Sequence, residues 1–101
     1  NFEKASIDFL WKGFDLHEKE SARLIDEYRS TKDTKEQIRF PLLAAYDHVL
    51  KCSNLFNTLD SRGAISVTER VGIIARVRTL AVGVAQSWLD QQAAITGVSA
   101  I

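Results

Sequence analysis

One stretch constrains this chain more than any other. Asp60-Ser61-Arg62-Gly63-Ala64-Ile65 is a cluster of turn formers, and Ser66-Val67-Thr68-Glu69 follows it directly. The second segment has the spacing of an N-terminal capping box. The Ser66 hydroxyl can accept from the Glu69 N–H while the Glu69 carboxylate reaches back to the Ser66 N–H, so two otherwise free helix-end donors are satisfied. Ile65 precedes the cap and could pack on the stem of Arg70 or across to Val71. The chain therefore turns at 60–65 and a helix begins after Ser66. Its apolar pattern runs through Val71, Ile74, Ala75, Ala81, Val84, Ala85, Trp88 and Leu89, and Gly97 is a C-terminal signal beyond Thr96. Up to 30 residues would extend about 45 Å. A second side carries Val77, Leu80, Val82 and Ala93, so this helix is expected to contact partners on more than one side. Gly72 and Gly83 are the points at which it could break.

Two further helices precede the turn. Leu42, Ala45, Tyr46, Val49, Cys52, Ser53, Phe56 and Leu59 trace one side of a helix that begins at Pro41, where the missing N–H costs nothing. Before it, Ile7, Leu10, Trp11, Phe14, Ala22, Leu24, Ile25 and Tyr28 recur at helical spacing and predict a helix over Ser6–Arg29, with Ser6 as cap and Gly13 as a mild weakness. Its charged middle, Asp15, Glu18, Lys19 and Glu20, reads as a solvated face. The run from Ser30 to Gln37 has no apolar residue and reads as an exposed connection over 30–40. The expected fold is all-α: one helical domain over 1–101, a bundle of about three long antiparallel helices, one of which could be broken.

Composition narrows the function. Thirteen basic and thirteen acidic side chains give a formal charge of zero, whereas a domain built mainly to wrap nucleic acid usually has a basic surplus. Residues 1–40 hold 17 of the 26 charged side chains and 41–101 hold 9, so the two parts face different surroundings. One cysteine rules out an internal disulfide framework and suits a reducing compartment. No stretch approaches the 18 or so apolar residues needed to span a bilayer, and the first residues lack the pattern of a signal peptide, so no membrane partner and a cytoplasmic location are expected. The chain contains no Met, so its first residue is expected to be a processed, trimmed or engineered start, and the chain is expected to be part of something longer.

Catalysis needs a constellation, and candidates are few. His48 and Cys52 share a helix face, yet a cysteine nucleophile also needs a lowered pKa and oxyanion donors, so a packed Cys52 beside a half-exposed His48 is the plainer reading. His17 with Asp15 or Glu18 falls short of the four ligands of a closed zinc site. No phosphate-binding glycine loop or hydrolase motif occurs. No catalytic, cofactor-binding or metal residue is expected. The informative group is Asp60, Arg62, Arg70, Arg76 and Arg78. Arg62 could pair with Asp60 and clamp the turn, or Arg62 and Arg70 at the helix start could meet a phosphate or an acidic partner. Asn54 and Asn57 could cap the turn, bond across the bundle or read RNA. Trp11, Phe14, Tyr46, Phe56 and Trp88 read as core or interface anchors.

The segment from Ala45 to Arg70, with Asp60 to Arg70 as its specific core, resembles the C-terminal helical region of the alpha chain of the bacterial, two-subunit glycyl-tRNA synthetase. Arg76-Val77-Arg78-Thr79-Leu80-Ala81 continues the resemblance, and Asn1-Phe2-Glu3-Lys4-Ala5 is similar to the segment entering that region. The family's motif falls on Asp60, Arg62, Gly63, Ser66, Thr68, Glu69 and Arg70. The resemblance implies a C-terminal fragment without catalytic groups of its own, from a parent that ligates glycine to tRNA(Gly) using ATP and Mg2+. It also implies a beta chain and a second alpha chain as partners and leaves tRNA(Gly) open as a further one in the intact complex; on the residues alone, Arg62, Arg70, Arg76, Arg78, Asn54 and Asn57 are the candidate contacts to a partner or to tRNA. A free-standing helical interaction module with no RNA role is the competing reading. The family commonly places Ala-Ser-His where this chain has Cys52-Ser53-Asn54, and the 30–40 connection is longer than the family's usual link.

Overall fold

Four helices, α1 (Phe2–Ser30), α2 (Thr34–Arg39), α3 (Leu42–Ser61) and α4 (Val67–Thr96), make up the computed structural model, with no strand among the described residues, 2–97. Asn1 and residues 98–101, which include the first residue of the family-like opening segment and the far end of the expected domain, lie outside them. The three long helices are those expected; α2 is an addition. Antiparallel contacts run down α1 and α3, from Arg62 beside Ser6 to Ala45 beside Ser21. α4 returns alongside α1 in the same direction, since Arg76 reaches Glu18 and Asp90 reaches Tyr28. The α1–α3 contact is the most extensive, and the whole measures 55 × 22 × 16 Å.

The core follows alternating three- and four-residue spacings, the seam of helices packed nearly parallel or antiparallel. Phe14, Leu24, Ile25 and Tyr28 of α1 are buried, as are Leu42, Ala45, Val49, Cys52 and Leu59 of α3. On α4 the buried set is Ile73, Leu80, Gly83, Val84, Ser87 and Gln91. Only Val84 belongs to the face that hydrophobicity selects. Val71, Trp88 and Leu89 of that face stand 71%, 49% and 63% exposed, whereas Leu80 and Val77, assigned to the second side, join the core.

The reason is chemical. Several inward positions of α4 are filled by side chains chosen for size or hydrogen bonding. A Cβ on Gly83 would lie 3.1 Å from the Ile25 Cδ1, so glycine lets the helices close without a break. Gln91 donates its amide to the carbonyls of Gln37 and Phe40 at 2.7 and 2.9 Å, satisfying the end of α2. Gly72, on the exposed side, also leaves α4 continuous.

Other local expectations shift for similar reasons. Ser6 is not a cap, because α1 starts four residues earlier and the Ser6 hydroxyl accepts from Arg62 Nη1 at 2.7 Å. Pro41 precedes α3 at its cap position, with Leu42 as the first helical residue. The polar connection contains α2 because Asp33 caps it through the Glu36 N–H, while Gln37 Nε2 donates to the Thr31 carbonyl at 2.7 Å.

The 60–69 turn forms as two interlocking caps. Gly63 at φ 68° lets its N–H reach the Asp60 carbonyl and the Ala64 N–H reach the Leu59 carbonyl, each at 3.0 Å, closing α3 in a Schellman arrangement. Ser66 and Glu69 then exchange the two capping-box hydrogen bonds at 3.1 Å. Ile65 is buried between the caps, while Val71 points away from the core. Gly97, at φ 71°, ends α4 in the left-handed conformation. Ser66→Ala is expected to cost about 1 kcal/mol by freeing the Glu69 N–H, read as a lower denaturant midpoint with unchanged slope; an unmoved midpoint would show the cap to be energetically silent.

Candidate functional site

The arginines resolve into individual ties. Arg62 reaches Ser6 on α1 and does not pair with Asp60. Asp60 is taken by Arg70 instead, through Nη2 and Nε at 2.6 and 3.2 Å, because the α4 helix start swings that guanidinium back over the end of α3. Arg76 makes a forked contact with Glu18 at 2.6 and 2.8 Å and a bond to Asp15 at 3.0 Å. It also lies 4.9 Å from the centroid of the Phe14 ring. The charged middle of α1 is thus an interhelical clamp and not merely a solvated face. The hydrogen bond from Arg76 holds the Glu18 carboxyl below the usual carboxylate range, against the opposing effect of burial. Each pair is part-exposed, so each contributes modestly to stability. Arg78 makes no hydrogen bond or ion pair with any described residue and lines a shallow groove beside Asn57 and Phe56. Asn54 is exposed, and its carbonyl accepts from Thr58.

Cys52 is fully buried and its thiol faces the Phe14 carbonyl at 3.6 Å. Burial, with Glu18 and Asp15 adding to it, pushes the thiol up to about 11, so it is no nucleophile at neutral pH. His48 and His17 meet each other, Nδ1 to Nδ1, at 2.9 Å; His17 therefore does not join Asp15 or Glu18. Among the described residues no three His, Cys, Asp or Glu side chains stand together for a metal ion.

The His17 pair makes stability depend on pH. Burial, then His48, then Lys51 lower the His17 pKa from 6.5, so the unfolded chain takes up this proton first as pH falls. The contribution of neutral His17 is complete above pH 6.5 and is lost as acid carries the pH down through the lower folded value. His17→Gln should flatten the midpoint-against-pH curve below 6.5 relative to the wild type, measured by urea unfolding at each pH.

What the arrangement leaves over is an apolar face. Leu43, Tyr46, Trp88 and Leu89 stand 74%, 45%, 49% and 63% exposed along α3 and α4. With the small Ala81 and Ala85 they line a groove of about 460 Å³, and the groove beside Arg78 and Asn57 continues it through Ala81. Isolated exposed leucines need no explanation, but a contiguous apolar groove marks an interaction surface. The sequence signal for it was the excess of apolar residues on both sides of α4.

A family model described as the glycyl-tRNA synthetase alpha subunit matches residues 1–93. The chain belongs to that family. The family is that of the alpha subunit of a two-subunit ligase. No helix among the described residues is long and apolar enough to cross a membrane, which leaves lipid burial by a spanning helix out of the account of the apolar face.

Proposed function

We propose that this chain is a non-catalytic helical domain from the C-terminal side of a glycyl-tRNA synthetase alpha chain, and that it serves subunit assembly. The single observation that carries this reading is the groove walled by Leu43, Tyr46, Trp88 and Leu89, which is apolar, contiguous and exposed. Charged ties fix the helices that present it: Arg76 joins α4 to α1, and Arg70 joins the start of α4 to the end of α3. Side chains of the required size are thus held on rigid elements, as an interface anchor needs.

The intact cytoplasmic enzyme would ligate glycine to tRNA(Gly) with ATP and Mg2+, and those groups would be held by its catalytic portion. Two of the arginines that could meet phosphates are tied to carboxylates instead, Arg70 to Asp60 and Arg76 to Glu18. A highly pure sample of residues 1–101 is expected to form no glycyl-adenylate; measurable formation would overturn the assignment of a non-catalytic role.

The partners would be the beta chain and a second alpha chain. A further role in positioning the tRNA acceptor end is favoured by one feature only, the unpaired Arg78 beside Asn57 at the rim of the apolar face. In the full complex, Arg78→Ala should reduce the salt dependence of tRNA binding by about one phosphate contact if this role exists. An unchanged slope would leave the domain as an assembly module. Substitution of Leu89 or Leu43 by Asp tests the assembly role itself and distinguishes it from a free-standing helical module, which would leave association of the synthetase chains untouched.

A further inference from the structure

A second groove, of about 600 Å³, runs between α1 and α4 and shares no lining residue with the one walled by Trp88 and Leu89. Ala22 and Ile25 of α1 and Ala75, Val82 and Gly83 of α4 give it an apolar lining of mostly small side chains. Two of its cations have no counter-ion. Arg29 and Arg78 both line it, both are exposed, and neither makes a hydrogen bond or ion pair with any described residue. That sets them apart from Arg23, Arg70 and Arg76, which are tied to carboxylates. We propose that this groove receives an amphipathic helix of a partner protein, whose apolar side covers the lining and whose acidic side chains pair with Arg29 and Arg78.

The spacing of the two cations suits a helix. Arg29 reaches across to Gly83, its Nη2 lying 3.7 Å from where a Cβ would stand. Arg78 is one to two turns earlier on α4, roughly 7.5 Å along the axis at the usual rise. Carboxylates one to two turns apart on one side of a docked helix span that distance, given the reach of the arginine and glutamate side chains. The acids already present do not neutralise the groove. Asp26 lines it but makes no ion pair with a described residue, so the lining carries two positive charges against one negative. α4 brings no free acid to it, because Glu69 is held in the capping box and Asp90 accepts from Tyr28.

The Arg29 end is also short of an acceptor. There the groove passes into a polar pit of about 260 Å³ that shares Arg29 and Gln86 with it and includes Ser87, whose hydroxyl is buried and donates to nothing. A carboxylate arriving at Arg29 supplies that acceptor after a small movement of the exposed Arg29 or Gln86 side chain. The lining selects the class of occupant. Nucleic-acid phosphates would meet the two arginines and leave the apolar lining uncovered. A second copy of this chain offers few free acids, since Asp15, Glu18, Glu20, Glu27 and Asp60 are held by its own arginines. A separate protein with an acidic helix that is apolar on one side satisfies both requirements. This surface is independent of the assembly role of the α3–α4 groove, and either can fail without the other.

The test uses the full chain at low salt and a synthetic helical peptide of about five turns, with leucines at every third or fourth position and glutamates at i, i+4 and i+7 beside them. Titration calorimetry should show saturable one-to-one binding, and a peptide with lysines in place of the glutamates should bind at least about tenfold more weakly. Arg29→Glu and Arg78→Glu, both surface changes, should each narrow that gap at unchanged Tm, and the double variant should invert it. Peptide-induced amide shifts should be largest at Ala22, Ile25 and Gly83. Absence of saturable binding, equal affinity for the two peptides, or shifts centred on Leu43 and Trp88 would overturn the proposal. So would a single-stranded RNA oligonucleotide that binds through Arg29 and Arg78 where the acidic peptide does not. Should a variant fold poorly, the two peptides and the shift map on the wild type decide the matter alone.

Discussion

Phe14→Ala should remove about 3–5 kcal/mol of stability, the largest loss expected from any single truncation in this chain. Phe14 is fully buried where the three long helices meet. Its ring packs edge-on to Trp11 with centroids 6.2 Å apart and carries the Arg76 guanidinium over its face. Truncation would therefore open a cavity and at the same time withdraw the aromatic support of the Arg76 clamp. The second effect is the smaller, because Arg76 keeps its forked contact with Glu18, and part-exposed ion pairs contribute well under the value of a buried ring. Domains of this size hold roughly 5–15 kcal/mol in total, so the variant should sit near its unfolding transition under mild denaturant. Urea unfolding followed by circular dichroism checks this. A loss below about 1 kcal/mol would mean that the helices close over the gap, and that Phe14 is not the centre of the packing.

How much of this could be read before the structure depends on what sets each position. The 60–69 turn was legible because its chemistry is local. Gly63 supplies the left-handed residue, and Ser66 and Glu69 satisfy each other within one turn. The sides of α1 and α3 were legible for a related reason, since their inward positions are mostly apolar and polar residues lie outward. On α4 the same logic selects the wrong face. Gly83, Ser87 and Gln91 point inward for close approach or hydrogen bonding, and Trp88 and Leu89 point outward. A periodicity argument assumes that apolar side chains mark the core of the chain in hand, and it misplaces a helix whose apolar side belongs to an interface. The short α2 was hidden because its support is tertiary: Gln91, more than fifty residues away, satisfies its last carbonyls.

The candidate site was legible only in part. The arginines drew attention by their density, but sequence could not show that Asp60 would be claimed by Arg70, or that Asp15 and Glu18 would turn towards Arg76. Each of those pairings joins separate elements, with separations of 10, 61 and 58 residues. The rings of Tyr46 and Trp88 were recognised as anchors, while their exposure became readable only once the helices were placed.

The second large effect is expected in assembly, with little change in folding. Leu43 and Leu89 are mostly exposed, and surface substitutions of this kind usually alter stability by no more than about 0.5 kcal/mol. Leu43→Asp or Leu89→Asp would leave the helices intact while placing a carboxylate in a groove that must be desolvated on docking. A buried, unpaired charge of this kind costs several kcal/mol, which corresponds to at least a hundredfold weaker association. The effect should exceed that of Arg78→Ala, since Arg78 lies at the rim, where charges act mainly on encounter.

The most direct test is sedimentation velocity on the full-length alpha chain carrying Leu89→Asp, mixed with the beta chain and compared with the wild type at equal concentrations. The apolar face predicts that the wild-type mixture sediments as an assembled species, whereas the variant, with an unchanged unfolding midpoint, sediments as separated chains. Full assembly of a correctly folded Leu89→Asp variant, with wild-type affinity both between alpha chains and between alpha and beta, would contradict the assignment of this face to subunit assembly.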